Sequence, residues 1–444
     1  MKRGPQKRED KLLSKKGLLA TIQASFGKIS EPKTGRRRQT GMISLFDCLM
    51  SAVAMFNLKS ASLLAFDQAT KEEPLSQNLQ ILYGVEHVPC DTHVREVLDE
   101  VDPKVLRPSY LAIFNQLQRG NFLEQYKFLG GYLMAIDGTG IFDSESVHCK
   151  NCCEKHHRDG RVTYYHQILA GSIVHPNKAQ VIPLCPEPIY KQDGIEKNDC
   201  ETNAANRFLD DLRLEHPRLM LTCTFDALFA NAPFINRLTA RGFDYIMVAK
   251  PGNNQSLFEW IHGINLNEAK VIDGKNIYNF RYINKVPLNN TNGAPDVNFF
   301  ECEATEVRGK KTTVQKFSWI TSHKITDSKI YDLMRGGRAK WKIENETFNT
   351  LKNQGYQFEH NFGHGKKHLH VVFALLMMLS FLIDQAQEAT DGSFQAALQK
   401  LKTRRALWEK IRNLFYTALI RSWDSLFQAI VFGYKAIVID PNTS

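Results

Sequence analysis

Three acidic residues of this chain stand where they could bind divalent metal ions. Asp137 ends the apolar run of YLMAIDGTG, and Asp226 ends that of LMLTCTFDALFA. An apolar run that stops at an aspartate indicates a buried strand whose carboxylate reaches the rim of a sheet, because the same group inside the sheet would lose its solvation. Together with Glu344 on a predicted helix, these acids could hold two hard divalent cations, which can activate the attacking oxygen and stabilise the leaving oxygen of a phosphodiester.

Glu344 lies in the segment AKWKIENETFNTLK, for which the spacing predicts a helix. Trp341, Glu344, Phe348 and Leu351 recur there at three- and four-residue steps. We therefore expect one helical face to carry a single acid among apolar side chains that pack against the sheet. Each acid alone also has an ordinary explanation, as a turn residue, a helix cap or a solvated helix former, so the functional prediction depends on the three together.

The elements that must position these acids follow from the hydrophobic pattern. Strand patterns such as GGYLMAID and TYYHQILAGSIV give way to helical ones such as DCETNAANRFLDDLRL, which predicts an α/β protein with a mixed sheet flanked by helices. A turn-rich stretch of strands predicts an antiparallel β insertion. The predicted divisions are a basic arm at 1–40, a helical N-terminal module at 41–125, a core at 126–254 and 331–385, the β insertion at 255–330, and a helical C-terminal tail at 386–444.

The composition favours an intracellular protein that binds a polyanion. The 444 residues include 57 Lys+Arg and 47 Asp+Glu, a net charge of +10. Residues 1–40 hold twelve basic and three acidic residues, or 12 − 3 = +9, and could contact DNA phosphates, as could the helical module. The most apolar stretch, VVFALLMMLSFLI, is too short to cross a bilayer, so we expect no membrane partner. Nine cysteines without a secreted-domain framework favour the cytoplasm.

A loop rich in cysteine and histidine gives a competing signal. Cys149 and Cys152 have half the spacing of a zinc ribbon, and His156 could add a ligand, but no second CxxC pair closes a tetrahedral site. A zinc site within Cys149–Cys153 and His156, and a polar loop between two strands, both stay open at this stage. The histidines of EHNFGHGKKHLH have lysines between them, so we expect phosphate contact or helix-entry packing there rather than a metal site.

Several blocks of the sequence are similar to those of a known family. YLMAIDGTG, YYHQILAGSIVHP, the DCE triplet at 199–201, FDALFAN and WKIENETFNTLKNQGYQFEHNFGHG resemble, in this order, the cut-and-paste DDE transposases of the bacterial insertion-sequence-4 superfamily. The resemblance implies an RNase H-like core, a two-metal Mg²⁺ site in which Mn²⁺ could substitute, nicking at element ends, and strand transfer by the freed 3′-hydroxyl. It also implies double-stranded DNA as the partner, at element ends and target, a homodimer in the DNA complex, and a nucleoid-associated location in a bacterial cytoplasm.

The resemblance assigns the three acids to family positions. Asp137 matches the acid of the first core strand, Asp226 that of the fourth, and Glu344 that of the late helix. These residues are accordingly expected to be both the catalytic and the metal-binding carboxylates. Relative to the family pattern, one extra residue separates Glu344 from Lys352. Glu346 is therefore the alternative third acid, and we favour Glu344 because of the helical face described above.

The resemblance also points to basic residues beside the scissile phosphate. Lys352 matches a helix lysine that contacts DNA phosphate in the family, and Arg338 and Lys340 are the other cations expected there. Lys340 stands where the family usually has arginine, and Ala227 stands where it commonly has glycine. These departures motivate one alternative, a catalytically decayed transposase that acts only as a DNA-binding protein.

A second alternative comes from a different class of enzyme. It is a zinc-dependent hydrolase that uses the loop of Cys149, Cys152 and His156. Metal preference separates the three functions, because the transposase needs Mg²⁺, the decayed protein binds DNA without cleaving it, and the hydrolase does not need Asp137.

Overall fold

The computed structural model describes residues 12–31, 43–191, 199–309 and 311–433. The remainder of the predicted basic arm, 1–11 and 32–40, and the end of the predicted tail, 434–444, lie outside the described residues.

The strands within the described residues form one mixed sheet of twelve, which confirms the α/β class. The strands are β1 (Lys127–Phe128), β2 (Gly131–Ser144), β3 (Cys153–His156), β4 (Val162–Val174), β5 (Ile182–Pro183), β6 (Glu187–Ile189), β7 (Leu221–Phe225), β8 (Asp244–Val248), β9 (Asn267–Asp273), β10 (Asn276–Pro287), β11 (Asp296–Arg308) and β12 (Lys311–Thr321). Their order is β3-β4-β2-β7-β8-β12-β11-β10-β9, while β1 pairs with β2, and β5 and β6 pair with β4.

The centre of the sheet is parallel. β2 pairs with β7 and β7 pairs with β8 in parallel, whereas β4 runs antiparallel to β2. The first six residues of β2 and all five of β7 are buried. Strands covered on both faces need continuous apolar runs rather than alternating ones, and this is why YLMAI and LTCTF form strands.

The helices are α1 (Lys15–Phe26), α2 (Leu45–Asn57), α3 (Leu63–Ala69), α4 (Glu73–Tyr83), α5 (Asp91–Asp99), α6 (Arg107–Arg119), α7 (Glu201–Glu215), α8 (Ala232–Ala240), α9 (Gln255–His262), α10 (Ile330–Arg338), α11 (Asn349–Asn353), α12 (Leu369–Thr390), α13 (Gly392–Leu401), α14 (Arg404–Thr417) and α15 (Trp423–Phe432). Short 3₁₀ turns cover Pro103–Leu106, Phe122–Tyr126 and Ala227–Phe229, and a π-helical turn covers Ile343–Phe348.

The N-terminal and C-terminal helices pack together as one helical body. Asn78 of α4 donates hydrogen bonds to the carbonyl oxygens of Phe415 at 2.9 Å and Ala418 at 2.8 Å. Helix α12 is long and apolar enough to cross a membrane by length and composition, with a mean hydropathy of 1.9, but its most apolar window is entirely buried inside the protein. The described part of the expected tail, residues 386–433, thus contributes helices that pack against the N-terminal helices.

Part of the expected basic arm is also helical. Ser14 caps α1 by accepting a hydrogen bond from the backbone N–H of Gly17 at 3.3 Å. Four apolar side chains of α1 are buried in the main hydrophobic core, and they are Leu18, Leu19, Ile22 and Phe26. Burial of this face against the other helices outweighs the positive charge of the segment.

The β insertion extends the main sheet rather than forming a separate one. It starts with α9, and the strands β9 to β12 then form an antiparallel meander. The last strand of the meander, β12, pairs antiparallel with β8 through Trp319 and Val248. The insertion therefore continues the sheet from the strand next to β7, beside the end that carries Asp226.

Candidate active site

Asp137 and Asp226 lie level with each other at the point where β7 ends. The parallel register aligns Tyr132 with Leu221, an offset of 221 − 132 = 89, and the same offset aligns Asp137 with Asp226 because 226 − 137 = 89. Adjacent strands are about 4.8 Å apart, so the two aspartates are close neighbours. The sequence predicted that Asp137 ends its strand, but Asp137 lies inside β2. The neighbouring strand β7 stops at Phe225, so no residue of β7 pairs with Asp137.

Asp226 also begins the structure that follows its strand. It is the N-cap of the 3₁₀ turn Ala227–Phe229, and its Oδ1 accepts a hydrogen bond from the backbone N–H of Leu228 at 2.9 Å. Asp137 accepts one from the N–H of Gly138 at 3.1 Å. Each carboxylate uses Oδ1 for this local bond, which leaves Oδ2 of Asp226 as a potential metal ligand, whereas Oδ2 of Asp137 contacts Lys340.

A third acid at this site is Glu201, in the first turn of α7. Its side chain lies against Gly138, where any Cβ would collide with the Glu201 carboxylate. The pKa of Glu201 is raised, first by burial and then by the negative charges of Asp137 and Asp226. Glu201 is therefore electrostatically part of the same group, and a cation bound there would offset the repulsion among the three acids.

Lys340 supplies the positive charge nearest to these acids. Its Nζ lies 2.6 Å from Oδ2 of Asp137, and both side chains are mostly buried. Lys340 is also one of the charges that act on the pKa of Glu201, which it lowers against the effect of burial. In the described structure, an ammonium group thus neutralises part of the charge that a metal ion would neutralise.

Glu344 and Glu346 lie in the π-helical turn Ile343–Phe348. The backbone N–H of Asn349 donates to the carbonyl oxygen of Glu344, five residues earlier, whereas an α-helix would join residues four apart. The turn packs on the core through Thr347, whose hydroxyl lies 3.3 Å from that of Ser172 on β4. The acid that follows Lys340 by one turn is Glu344.

The two glutamates have different electrostatic surroundings. Glu346 acts on the pKa of Lys342, which burial lowers, and on the pKa of Arg404, which the hydrogen bond to Glu388 raises. The charge of Glu346 thus acts on Lys342 and on Arg404, which belongs to the C-terminal helix α14. Among the described residues, the acids at this end of the sheet do not bring three ligand atoms within 4.8 Å of one another.

The predicted apolar face of this segment needs a correction at Trp341. Phe348 and Leu351 are fully buried as expected, but Trp341 is 64% exposed. The π-helical turn changes the angular spacing between Trp341 and Phe348, so a face drawn for a regular α-helix does not describe the segment.

A cleft of about 440 Å³ opens beside Asp226. Four cationic residues line it, against Asp226 as its one acid, and they are Lys250, Lys316, Arg338 and Lys340. Its walls come from the end of α10 and the segment just after it, from β12 of the insertion and from residues at the ends of β7 and β8, with Trp319 and Trp341 among the lining residues. A cleft with this charge suits a polyanion.

The other two basic residues predicted to contact phosphate have acidic partners. Arg338 forms an ion pair with Glu306 of β11 and lies over the ring of Phe317, 5.1 Å from its centroid. Lys352 forms an ion pair with Glu359 at 2.8 Å. Only Arg338 of these two lines the cleft, so the described structure groups it with Lys340 and not with Lys352.

The predicted cysteine and histidine loop is corrected in its third ligand. His156 is exposed and lies 3.3 Å from Glu154, away from Cys149 and Cys152. The two cysteines instead face His166 of β4 and His364 of the loop before α12. The sequence analysis expected the histidines of EHNFGHGKKHLH to contact phosphate or to pack at the helix entry rather than to form a metal site. His364 instead lies in a cluster of possible metal ligands.

Sequence reasoning missed three residues of these clusters, although each lies in a block already singled out. Glu201 ends the DCE triplet, His166 lies in YYHQILAGSIVHP, and His364 lies in HNFGHG. The type of each residue was visible, but the partner that gives it a role comes from a distant part of the chain.

Comparison with known proteins gives no family for this chain. No model of a known protein family matches it, and no curated protein matches it either.

Proposed function

We propose that this chain is a DDE transposase of the insertion-sequence-4 type, which cleaves DNA strands and transfers them in a reaction that needs a divalent metal ion. The observation that carries the proposal is that Asp137 and Asp226 lie level with each other where β7, which pairs in parallel with β2, ends. If β1 and β3 are set aside as short additional strands and β5 and β6 together count as the third core strand, β2 is the first, β4 the second and β7 the fourth. This order agrees with the resemblance, which expects acids on the first and fourth strands of an RNase H-like core.

The charge distribution supports a nucleic acid as the substrate. Four cations line the cleft beside Asp226, and the β insertion supplies one wall of it. Non-specific contacts to DNA come mostly from cations that meet phosphate oxygens. Arg338 and Lys340 are therefore assigned to the phosphates around the scissile bond.

The metal ligands of the proposed enzyme are Asp137, Asp226 and Glu344. Their oxygen donors suit Mg²⁺, and the repulsion that raises the pKa of Glu201 indicates a site that gains from an added cation. When bound, the metal ions activate the attacking oxygen and stabilise the leaving oxygen of the phosphodiester. Mn²⁺ would substitute because it accepts the same ligands.

Glu344 is preferred over Glu346 because of their neighbours. Glu346 is associated with Lys342 and Arg404, whereas Glu344 follows Lys340, which contacts Asp137, by one helical turn. The residues of this chain have separate tasks in the proposed reaction. The carboxylates orient the metal ions, Lys340 holds Asp137 in place before metal binds, and the cations of the cleft orient the DNA.

The decayed transposase is the second candidate, and one observation favours it. The short ion pair between Lys340 and Asp137 gives a metal-site carboxylate an internal counter-ion. If this pair persisted in the DNA complex, the protein would bind DNA without cleaving it. The zinc hydrolase has less support, because its third proposed ligand, His156, lies away from the cysteines.

The test is nicking of double-stranded DNA that carries the flanking ends of the element, with Mg²⁺ or Mn²⁺. Asp226→Asn and Glu344→Gln should each lower the nicking rate by about 100-fold or more, because each removes a carboxylate that would hold the metal ions. Glu346→Gln is the matched control in the same helical turn and should keep near wild-type activity.

Each alternative outcome has a defined meaning. Tight, salt-sensitive binding of the wild type without nicking would favour the decayed transposase. Loss of nicking in Glu346→Gln but not in Glu344→Gln would exchange the two glutamates. Nicking that survives Asp226→Asn would refute the proposed site.

A further inference from the structure

Two cysteines and two histidines from three separate segments meet at one point. Cys149 and Cys152 lie in the turn between β2 and β3, His166 lies on β4, and His364 lies in the loop between α11 and α12. Their four ligand atoms are all within 4.8 Å of one another. His364 is 364 − 152 = 212 residues from the nearer cysteine, so the cluster forms only when the chain folds.

Four of the six distances between these ligand atoms match the edges of a tetrahedron around a zinc ion. The two sulfur atoms are 3.9 Å apart, and Nε2 of His166 is 3.6 Å from Sγ of Cys149 and 3.5 Å from Sγ of Cys152. Nε2 of His364 is 3.3 Å from Sγ of Cys152. With Zn–S of about 2.3 Å and Zn–N of about 2.0 Å, a regular tetrahedron has S–S edges of about 3.8 Å and S–N edges of about 3.5 Å.

The surroundings of His364 prepare it to bind a metal through Nε2. Its Nδ1 lies 3.0 Å from the carbonyl oxygen of Gly365, so Nδ1 carries the proton and donates it to that carbonyl. Nε2 then has a free lone pair that faces the cysteines. Metal-binding histidines are usually held by this kind of hydrogen bond on the opposite ring nitrogen.

The thiols are also in an electrostatic environment that suits a cation. The pKa of Cys149 is lowered to about 4 by the hydrogen bond from the Cys152 thiol and by His166, while that of Cys152 is raised by the same hydrogen bond and by burial. A divalent cation bound to both sulfurs would hold them as thiolates.

We propose that Cys149, Cys152, His166 and His364 bind one Zn²⁺ ion in a structural site. Four protein ligands fill the tetrahedral coordination of zinc and leave no position for a substrate. Cys152, His166 and His364 are buried, and the ring of Phe142 packs on His364 with 4.6 Å between centroids. Cys149 is half-buried, so three of the four ligands are shielded from solvent, and the full set of four protein ligands separates this site from the hydrolytic site considered from the sequence.

The position of the site indicates what the ion stabilises. The cysteine turn follows the strand that carries Asp137, and the His364 loop follows the helical segment that carries Glu344. Zinc would add a direct link between these two segments, which already meet through the hydrogen bond from the Asn151 side chain to the carbonyl oxygen of Lys367 at 2.7 Å and through the thiol and imidazole contacts. It would fix the loop 354–368 against the sheet and so hold the C-terminal end of the candidate catalytic helix.

The first experiment measures metal content. Protein made in zinc-supplemented medium and freed of loose metal by gel filtration should contain about one zinc ion per chain. Cys149→Ser and His364→Asn should each contain less than about one fifth of this amount, because three ligands hold zinc far less tightly than four. Cys153→Ala and His156→Asn are matched controls next to the cluster, and both should keep the full zinc content.

A second measurement needs only the wild-type chain and so does not depend on how the variants fold. Reconstitution with Co²⁺ should give the strong visible absorption of a tetrahedral ion with two thiolate ligands. Removal of zinc by a chelator should lower the melting temperature and speed amide hydrogen exchange in residues 357–366 more than in β7. None of these measurements depends on DNA cleavage, so the zinc site and the proposed function can fail separately.

Three results would overturn the zinc site. One is a wild-type chain with less than about a tenth of an equivalent of zinc after reconstitution. Another is a cobalt spectrum of octahedral type, and a third is full zinc content in both ligand variants.

Discussion

Asp384→Asn should destabilise the helical body strongly, because Asp384 is the counter-ion of two buried lysines. Lys15 Nζ lies 2.9 Å from its Oδ1 and Lys59 Nζ lies 2.7 Å from its Oδ2, and all three side chains are at most 3% exposed. The hydroxyl of Tyr356 donates a further hydrogen bond of 2.6 Å to Oδ2. Asparagine keeps the shape of the side chain but removes its charge, so two ammonium groups remain buried without a counter-ion.

The expected loss in the free energy of unfolding follows from this geometry. Removing one partner of a buried ion pair costs about 3 to 5 kcal/mol. The asparagine oxygen can still accept a hydrogen bond, and Lys59 also lies 3.8 Å from the ring centroid of Tyr356 and 4.2 Å from that of Trp408. We therefore expect a loss of about 3 kcal/mol, near the lower limit, which is a large part of the 5 to 15 kcal/mol that holds a typical domain folded.

The loss should also depend on pH. Burial lowers the pKa of Lys59 from 10.5 to about 8, and Asp384 opposes this effect, so the variant should have a still lower Lys59 pKa. The unfolded chain binds the lysine proton up to a higher pH than the folded chain does, so this group makes stability increase as pH rises through that window. Above pH 8 Lys59 is neutral in both proteins, and its share of the difference should disappear.

Urea unfolding followed by circular dichroism, at pH 7 and at pH 9.5, measures both effects. Glu409→Gln is the control, because the exposed pair of Glu409 with Arg405 should contribute less than about 0.5 kcal/mol. Lys59→Met added to Asp384→Asn should recover part of the loss by removing one unpaired charge. A loss below 1 kcal/mol at pH 7, or one that is the same at both pH values, would refute the buried-charge account.

Three further predictions concern the active site and a helix cap. Glu201→Gln should lower Mg²⁺-dependent nicking. It should also raise the melting temperature, because it removes the charge that Asp137 and Asp226 repel. If neither the nicking rate nor the melting temperature changed, Glu201 would not belong with these two acids. Lys340→Met should lower stability by about 1 kcal/mol without metal and make Mg²⁺ raise the melting temperature more than in the wild type, since Asp137 loses its counter-ion; an equal Mg²⁺ response would count against metal binding there. Asp99→Ala should cost about 1 to 2 kcal/mol, because Asp99 accepts the N–H groups of residues 366–369 before α12. Burial acts to raise the pKa of Asp99, but these bonds outweigh it and lower the pKa, so the cost should shrink as acid protonates Asp99 below its unfolded pKa of 3.8.

The sequence predicted the strands and helices that depend on short runs of apolar residues. The apolar runs before Asp137 and Asp226 are buried strands, because a parallel strand covered on both faces needs uninterrupted apolar residues. The α/β class followed from the same runs and from the helices between them. The face through Trp341 was wrong because a π-helical turn depends on packing that periodicity does not record.

The clusters were harder to predict because they join distant segments. Cys149 and Cys152 were visible as a pair, but His364 reaches them only after β4 and the loop before α12 have packed on the same side of the sheet. Glu201 was visible as part of the DCE triplet. Its role in the site, however, comes from repulsion by Asp137, which precedes it in the sequence, and by Asp226, which follows it. Local spacing could not supply either set of neighbours.

The π-helical turn explains how the candidate helix could keep both Glu344 and Lys352 in use despite one extra residue between them. They are 352 − 344 = 8 residues apart, and a regular α-helix at about 100° per residue would put them about 80° apart around the axis. A π turn closes over one more residue than an α turn, so the remaining seven steps bring them to within about 20° of each other. The hydrogen bond from Asn349 N–H to the carbonyl of Glu344 spans the five residues that this requires. Phe348 and Leu351 are fully buried, so the extra residue that the resemblance implies would be accommodated within the turn while the core contacts of the helix are kept.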